Sequence, residues 1–213
     1  MTESKLEKSR RNGNHQVEAQ RESILDAAET LFLQRGIEKT SMVDIANQAG
    51  ITKITLYRYF PNREDIALLL WQRTSEKIFS LVGFNEKGFS IEDFKNLTRL
   101  MIRNFDEMRD SYRYIGMFDG MFLDNPNEVG ITRLIKEKYS SAVFKEVAQS
   151  RKAYEFQSCV LILSSVIWFL EKVALRGEVT YYDLGIPLAE QLAIYEEIVM
   201  KSFDNLLARV TTP

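Results

Sequence analysis

The residues best suited to chemistry in this chain are the cationic, hydroxyl and aromatic side chains concentrated between Thr40 and Arg63. Lysine and arginine neutralise phosphates, hydroxyls donate hydrogen bonds to phosphate oxygens, and a few side chains of mixed type read base edges in a groove. The stretch therefore predicts contacts to double-stranded DNA. The predicted contact residues are Thr40, Ser41, Thr52, Lys53, Ile54, Thr55, Tyr57, Arg58, Tyr59 and Arg63.

The groups that most enzymes need are scarce. The chain has one histidine, His15, in a polar N-terminal stretch, and one cysteine, Cys159, in an apolar run. We find no zinc-ligand spacing, no glycine-rich phosphate loop and no nucleophile with a histidine partner. We therefore expect no enzyme activity, no metal and no cofactor, although catalysis by carboxylates alone stays open. A single cysteine also fits a reducing cytoplasm, where we expect a buried structural thiol.

Composition favours a globular protein with one sizeable core or a small domain attached to a larger one. The chain has 213 residues, is 45% hydrophobic and carries a net charge of −2. Residues 1–63 hold ten Lys or Arg against eight Asp or Glu, and the remainder holds eighteen against twenty-two. The sequence predicts no signal peptide, and its longest apolar run, Cys159 to Leu170, is shorter than the ~18 residues of a membrane span.

Helices are needed to hold the predicted contact residues, and the sequence supplies them. Apolar residues recur at helical spacing from Arg21 to Gln34, and Gly36 suits the residue after a helix end. Ser41 and Asp44, three positions apart, can form a capping box for a second helix. The predicted apolar face of this second helix consists of Val43, Ile45, Ala46 and Ala49.

A tight turn and a third helix follow. Gly50 tolerates the left-handed conformation that a sharp reversal needs, and Thr52 is a natural N-cap for the next helix. Leu56 and Phe60 lie four residues apart and point the same way, so the other side chains face outward. Pro61-Asn62 then ends this helix and caps a fourth.

At this point residues 21–69 resemble the DNA-binding domain of the TetR family of bacterial transcriptional regulators. The resemblance covers about a quarter of the chain, and its motifs are dense and in order. The matching residues are Ile24-Leu25-Asp26-Ala27-Ala28, Leu31-Phe32, Gly36, Thr40, Ile45-Ala46, Ala49-Gly50-Ile51, Leu56-Tyr57-Arg58-Tyr59-Phe60 and Asp65-Ile66.

Two positions depart from the family pattern. The family usually has Gly where this chain has Ile54, and usually Lys where it has Arg63. The Ile54 side chain prevents the close approach of the backbone to DNA that a glycine would allow. It could touch a thymine methyl group, so it could influence which operator sequence is bound. Arg63 keeps the positive charge.

The remainder of the sequence predicts helices only, so we expect an all-α fold of nine or ten helices. We divide the chain into a flexible tail (1–17), a three-helix helix-turn-helix domain (18–64) and a larger helical ligand-binding and dimerisation domain (65–213). The fourth helix should run to about Leu81, ended by Gly83. Later helices are predicted at Ile91–Met108, Tyr112–Leu123, Asn127–Ser150, Tyr154–Arg176 and Pro187–Arg209.

The last two long helices carry apolar residues on more than one side. They could pack within one monomer, or form a four-helix interface with a second copy, as the resemblance implies. We favour a homodimer, since a C2 dimer places two short recognition helices on a palindrome with half-sites ~34 Å apart. The stripes are Val160, Leu163, Ile167, Leu170 and Ala174, then Leu188, Leu192, Tyr195, Val199, Phe203 and Leu206; Leu184, Ile194, Ile198 and Leu207 are apolar elsewhere.

The middle helices are dense in methionine and aromatic residues. Such side chains pack cores, but they also line adaptable apolar pockets, and the resemblance places a ligand between the fourth helix and the body. Asp119, Glu155 and Glu171 could pair with a cationic ligand if they face inward. Otherwise each lies on a solvated face. The predicted ligand-binding residues are Met101, Phe105, Met108, Tyr114, Met117, Phe118, Met121, Phe122 and Trp168.

These features together predict a ligand-responsive transcriptional regulator, acting as a repressor, that a small apolar or amphipathic effector releases from a palindromic operator. Lys53, Ile54, Thr55 and Tyr57 are assigned to the major groove, and the other predicted contact residues to phosphates. Arg10-Arg11 either reaches a flanking minor groove or is an idle tail. The alternative is a DNA-binding regulator whose body is only a partner or dimerisation module.

Overall fold

The structure is a computed structural model that describes residues 5–81, 90–122, 153–176 and 185–211. These ranges contain eight helices and no strand, which confirms the predicted all-α class. The predicted helix Asn127–Ser150 lies outside the described residues, as do Gly83, Gly177, Leu184 and most of the loop before Gly185. The chain divides into two compact units, one ending at Gln72 and one starting at Arg73, whereas the sequence placed the boundary after residue 64.

The first unit contains helices α1 (Lys5–Arg35), α2 (Met42–Gln48) and α3 (Lys53–Tyr59) and the start of α4 (Arg63–Leu81). α1 begins sixteen residues before the predicted Arg21, so the tail expected to be flexible is largely helical. The first half of α1 lacks an apolar stripe, so helical periodicity in the sequence does not reveal it. α1 ends as predicted at Gly36, whose φ is +93° and whose N–H donates to the Phe32 carbonyl at 2.8 Å.

The predicted caps form in the structure. The backbone N–H of Ser41 donates to the Asp44 carboxylate at 2.9 Å, and the Asp44 N–H donates back to Ser41 Oγ at 3.2 Å. This reciprocal capping box satisfies two N–H groups that the start of α2 leaves without helical partners. Likewise the Thr55 N–H donates to Thr52 Oγ1 at 3.1 Å, and the Asp65 N–H donates to the Asn62 side-chain oxygen at 2.7 Å.

The turn between α2 and α3 depends on Gly50. Its φ is +66°, which a glycine adopts at no steric cost. The Ile51 N–H donates to the Ala46 carbonyl at 3.0 Å, and the Gly50 N–H donates to the Asn47 carbonyl at 3.2 Å. This pair of bonds is the Schellman arrangement, which satisfies the last carbonyls of α2.

A small core fixes the helices of the first unit. One side of each helix is buried, but Val43, assigned to the apolar face of α2, is exposed. An ion pair of 3.1 Å joins Arg35 on α1 to Asp44 on α2. The hydrogen bonds from Ser41 hold the pKa of the Asp44 carboxyl below its usual value, with a smaller effect from Arg35. The buried core includes Ile24, Ala28, Phe32, Ile45, Leu56, Phe60, Ile66 and Leu70.

The second unit contains the end of α4 and helices α5 (Ile91–Arg103), α6 (Phe105–Phe122), α7 (Ala153–Arg176) and α8 (Leu188–Thr211). The sequence predicted one helix over Ile91–Met108, but the chain breaks at Asn104. Asn104 caps the C-terminus of α5, donating its N–H to the Leu100 carbonyl at 2.9 Å, while its own carbonyl accepts from Met108 at 3.1 Å. Apolar periodicity continues across this break, so it gave no sign of one.

α7 is the central helix of the second unit and packs against α5, α6 and α8. Gly116 on α6 permits the close approach, since a Cβ there would lie 2.9 Å from Leu175 Cδ1 and 3.2 Å from Glu171 Cβ. Rings of Phe169 on α7 and Tyr195 on α8 stack with centroids 3.8 Å apart. Among the described helices, α7 alone is long and apolar enough to cross a membrane by those two criteria.

Candidate nucleic-acid interface

α3 has one buried side and one exposed side, which is the geometry that a recognition helix needs. It is seven residues long, too short to be stable without tertiary packing. Leu56 and the capping residue Phe60 are buried in the unit's core. The guanidinium carbon of Arg21 on α1 lies 5.2 Å from the centroid of the Phe60 ring. These contacts hold α3 by its inner side and leave its outer side free.

The outer side of α3 carries the predicted groove-facing residues. Ile54 is 79% exposed and Tyr57 is 46% exposed. Lys53 and Arg58 are exposed, while Thr55 and Tyr59 are partly covered. The ammonium of Lys53 lies 5.6 Å from the centroid of the Tyr57 ring, a cation–π contact that orients both side chains. α3 thus presents two cations, two phenols, two hydroxyl groups with its cap, and one aliphatic side chain.

The N-terminus of α3 is closed by its own hydroxyls. Thr52 Oγ1 and Thr55 Oγ1 lie 2.9 Å apart, within hydrogen-bonding distance, and the Thr52 oxygen also accepts the Thr55 N–H. Thr52 is exposed, so its hydroxyl can still reach a phosphate oxygen. The cap therefore both sets the start of α3 and places a polar group at its exposed end.

Three predicted phosphate contacts have other roles in this structure. Thr40 is only 1% exposed, and its hydroxyl donates to the Gly36 carbonyl at 2.9 Å. Ser41 donates its hydroxyl proton to the Asp44 carboxylate at 2.6 Å. Because that carboxylate is anionic, it would also oppose a phosphate at the same place. The hydroxyls of Thr40 and Ser41 are therefore engaged within the fold, which argues against their predicted contacts to phosphates.

Arg63 is the third of these residues. Its guanidinium donates to the Glu38 carbonyl at 2.8 Å, to the Thr40 carbonyl at 3.4 Å and to the Glu64 carboxylate at 2.8 Å. The side chain thus ties the start of α4 to the loop between α1 and α2. This role, like the contact of Arg21 with Phe60, joins positions more than twenty residues apart, and local sequence patterns do not reveal such contacts.

The predicted ligand-binding residues of the body differ in exposure. Met117 and Met121 are partly covered, and Trp168 is 62% exposed. Trp168 therefore faces away from the interior, and its assignment to an internal pocket is wrong. The side chain of Phe122 lies outside the described residues. The buried members are Met101, Phe105, Met108, Tyr114 and Phe118.

The three acidic residues of the body also differ in environment. Glu171 on α7 is 4% exposed, and burial, followed by the nearby Asp119 charge, raises the pKa of its carboxyl to about 8. Asp119 is exposed, yet partial desolvation raises its pKa to about 6 against an opposing effect of Lys172. Because Asp119 remains accessible to water, its shifted pKa contributes less to stability than that of the buried Glu171. Glu155 is partly covered.

The two units define a class of protein: a helix-turn-helix domain with an exposed cationic helix, followed along the chain by a separate helical body. Residues 24–70 match the sequence profile of the bacterial regulatory proteins of the tetR family. The HTH-type transcriptional regulator TtgR of Pseudomonas putida is 26% identical over 98 residues, which are 46% of this chain and 47% of TtgR.

A second relative and a solved structure extend the likeness into the body. The HTH-type transcriptional activator FasR of Mycolicibacterium smegmatis is 24% identical over 143 residues, 66% of this chain and 64% of FasR. A crystal structure of a TetR family transcription regulator from Marinobacter aquaeolei VT8 aligns with a TM-score of 0.61 at 18% identity, covering 89% of this chain and 97% of that one.

The chain spans about half the length of TtgR and under two thirds of FasR, and the structural likeness speaks for the fold alone. Family profile, relatives and fold agree with one another. The profile match at residues 24–70, the relatives and the fold all indicate the TetR family.

Proposed function

We propose that this protein is a transcriptional regulator that binds duplex DNA through the outer side of α3. The observation that supports this most directly is the exposure of Lys53, Ile54, Tyr57 and Arg58 on a helix whose opposite side is anchored by Leu56. These exposed side chains make no core contact, so they add little to the stability of the fold. They do suit a major groove, which admits an α-helix and presents hydrogen-bonding groups and thymine methyls.

The roles of the individual side chains follow from their positions. Lys53, Ile54 and Thr55 form the first turn of α3, where a recognition helix usually meets base edges, and Tyr57 lies one turn beyond Lys53. Thr52, Arg58 and Tyr59 are assigned to phosphates. Phosphate contacts fix the register of the protein on the duplex but carry no sequence information. Affinity and sequence choice should therefore depend on different residues of α3.

Substitutions on α3 test the proposal. Arg58→Ala should weaken operator binding and lower the slope of log affinity against log salt by about 0.9 for each phosphate that the variant no longer neutralises. Tyr57→Ala should weaken binding to the preferred duplex with a smaller change in that slope. Arg209→Ala, which removes an exposed cation from α8, serves as the matched control.

Affinity would be measured on duplexes selected from a random pool, with thermal melting to show that each variant stays folded. If both α3 variants bound like the native protein, or if affinity hardly varied with salt, α3 would not be the DNA-binding element.

We further propose that the protein is a homodimer through α7 and α8. The exposed apolar residues of α7 recur every seven positions, the spacing of one helix side. Such an apolar surface in water marks an interface. The predicted stripe members Leu170 and Ala174 are instead buried within the monomer. The proposed contact surface consists of Tyr154, Leu161, Trp168 and Leu175 on α7 with Ile194 and Ile198 on α8.

A charge placed in this surface tests the dimer. Trp168→Glu should leave the monomer folded, because the side chain is already exposed, but should convert a dimer into monomers in analytical ultracentrifugation. Leu100→Glu, which alters an exposed apolar residue of α5, is the control and should remain dimeric. A monomeric native protein, or a Trp168→Glu variant that still dimerises, would refute the assignment.

We propose that the body senses a small apolar or amphipathic molecule and that its binding releases the operator. The buried methionine and aromatic side chains of α5 and α6 support a site of adaptable apolar shape. An effector acts only through its difference in affinity for two states, and reversing a 1:99 balance takes ~5.5 kcal/mol. We assign repression as the outcome, in a cytoplasmic protein that is not an enzyme.

Native mass spectrometry of protein purified from its own host would detect a co-purified molecule, whose removal should raise operator affinity. The second candidate, a body that only dimerises or binds a protein partner, is favoured by the exposed surface on α7. This second candidate predicts that the protein binds the operator equally well before and after any co-purified molecule is removed.

A further inference from the structure

We propose that Ile54 is a specificity-determining residue that recognises the C5 methyl group of a thymine in each operator half-site. The proposal rests on DNA binding by α3 and adds which base the helix selects. It concerns a side chain whose chemistry differs from that of every other exposed residue on α3.

Helix geometry puts Ile54 on the ridge of α3 that points away from the core. At 3.6 residues per turn, Ile54 lies about 160° around the helix from the buried Leu56, and Arg58 lies about 160° in the other direction. Ile54 is correspondingly the most exposed of the large hydrophobic residues described, at 79%. Any surface that meets α3 face-on therefore meets Ile54 and Arg58 first.

The chemistry of Ile54 restricts what it can recognise. Its side chain has no donor or acceptor, so a base edge placed against it loses water without gaining a hydrogen bond. In the major groove, thymine alone offers an apolar group, the C5 methyl, while cytosine presents an amino donor and purines present N7 acceptors. A β-branched side chain also has few rotamers, so its methyl groups are held in place before binding.

The neighbours of Ile54 support DNA rather than a protein as the partner. Lys53 and Tyr57 form a cation–π pair with a separation of 5.6 Å on one flank, and Thr55, bonded to Thr52, lies on the other. An apolar protein partner would have to bury these cations and hydroxyls together with Ile54. A groove lined by phosphates accommodates all of them, with the aliphatic side chain at its floor.

Removing single methyl groups from the DNA tests the inference. Once the preferred duplex has been selected, each thymine is replaced in turn by deoxyuridine, which lacks only the C5 methyl. We expect one thymine in each half-site whose replacement weakens binding of the native protein about fourfold, the value of one buried methyl group. The same replacement should leave the affinity of Ile54→Ala unchanged, while Leu100→Ala should respond like the native protein.

The outcomes separate this inference from the broader proposal. A preferred duplex whose every thymine tolerates deoxyuridine would overturn the role of Ile54 and leave DNA binding by α3 intact. Ile54→Ala that keeps the native sensitivity to deoxyuridine would overturn it as well. Absence of any preferred duplex would overturn both proposals. Ile54→Val, which keeps the branched shape, should retain the sensitivity and guards against a folding defect in the alanine variant.

Discussion

Replacing the buried Glu171 by glutamine should make the protein more stable at slightly alkaline pH. The carboxyl is 4% exposed at the packing of α6 against α7, and burial raises its pKa to about 8. At pH 7 the folded protein therefore holds a proton there that the unfolded chain releases. Glutamine has the shape and neutrality of the protonated acid. Glu171→Gln therefore keeps the packing, and folding of the variant requires no proton uptake at this position.

The sign of the pH dependence follows from proton counting. Between the unfolded pKa of about 4.5 and the folded pKa of about 8, the folded state binds one more proton than the unfolded state. Stability from this group is complete below the lower value and is lost as the pH rises through the higher one. The slope approaches about 1.4 kcal/mol per pH unit, and from pH 5 to 8 the loss comes to about 3.5 kcal/mol.

The assay is urea denaturation of the native protein, Glu171→Gln and the exposed control Glu107→Gln at several pH values and one protein concentration. Because other groups also titrate, the informative quantity is the difference between variant and native unfolding free energies. This difference should grow from pH 5 to 8 for Glu171→Gln and stay flat for Glu107→Gln. Parallel pH curves for the native protein and Glu171→Gln would refute the claim that Glu171 is protonated in the fold.

Two further substitutions test packing and capping. Ser41→Ala removes the capping box of α2 and should lower the unfolding free energy of the first unit by about 1 kcal/mol in urea titration; an unchanged value would mean that the cap carries no stability. Gly116→Ala gains about 1 kcal/mol of helix propensity but places a Cβ 3.2 Å from the Cβ of the buried Glu171, which cannot move without α7, whereas the exposed end of Leu175 at 2.9 Å can turn away. Since overpacking costs about 1–3 kcal/mol, we expect a net loss of stability. Gly120→Ala, whose Cβ would meet nothing within 4 Å, should gain stability instead; equal effects at the two glycines would contradict the close packing of α6 and α7.

The sequence was most informative where structure is determined locally. The capping box of Ser41 and Asp44, the left-handed Gly50 and the Thr52 cap depend on residues within a few positions of one another. Each could be predicted because a specific residue type satisfies a specific backbone group at that spacing. The same holds for the exposure of Ile54, which follows from the helical position of Leu56.

The sequence was least informative where a side chain has a choice of distant partners. Arg63 looked like a phosphate contact because its charge was known and its bond to the Glu38 carbonyl was not. Trp168 looked like a pocket residue because aromatic composition does not say which side of α7 faces the interior. The break at Asn104 was missed for a similar reason, since apolar periodicity is preserved on both sides of it.

The inner and outer sides of α3 should respond to mutation in different ways. A helix of seven residues gains too few hydrogen bonds to offset its nucleation cost, so its conformation depends on Leu56 and on Phe60 beneath Arg21. A change at either position should lower stability first and DNA binding as a consequence. A change at Ile54, Tyr57 or Arg58 removes no core contact, so it should alter binding while the melting temperature stays constant. On the proposed function, stability and sequence recognition are thus carried by opposite sides of the same short helix.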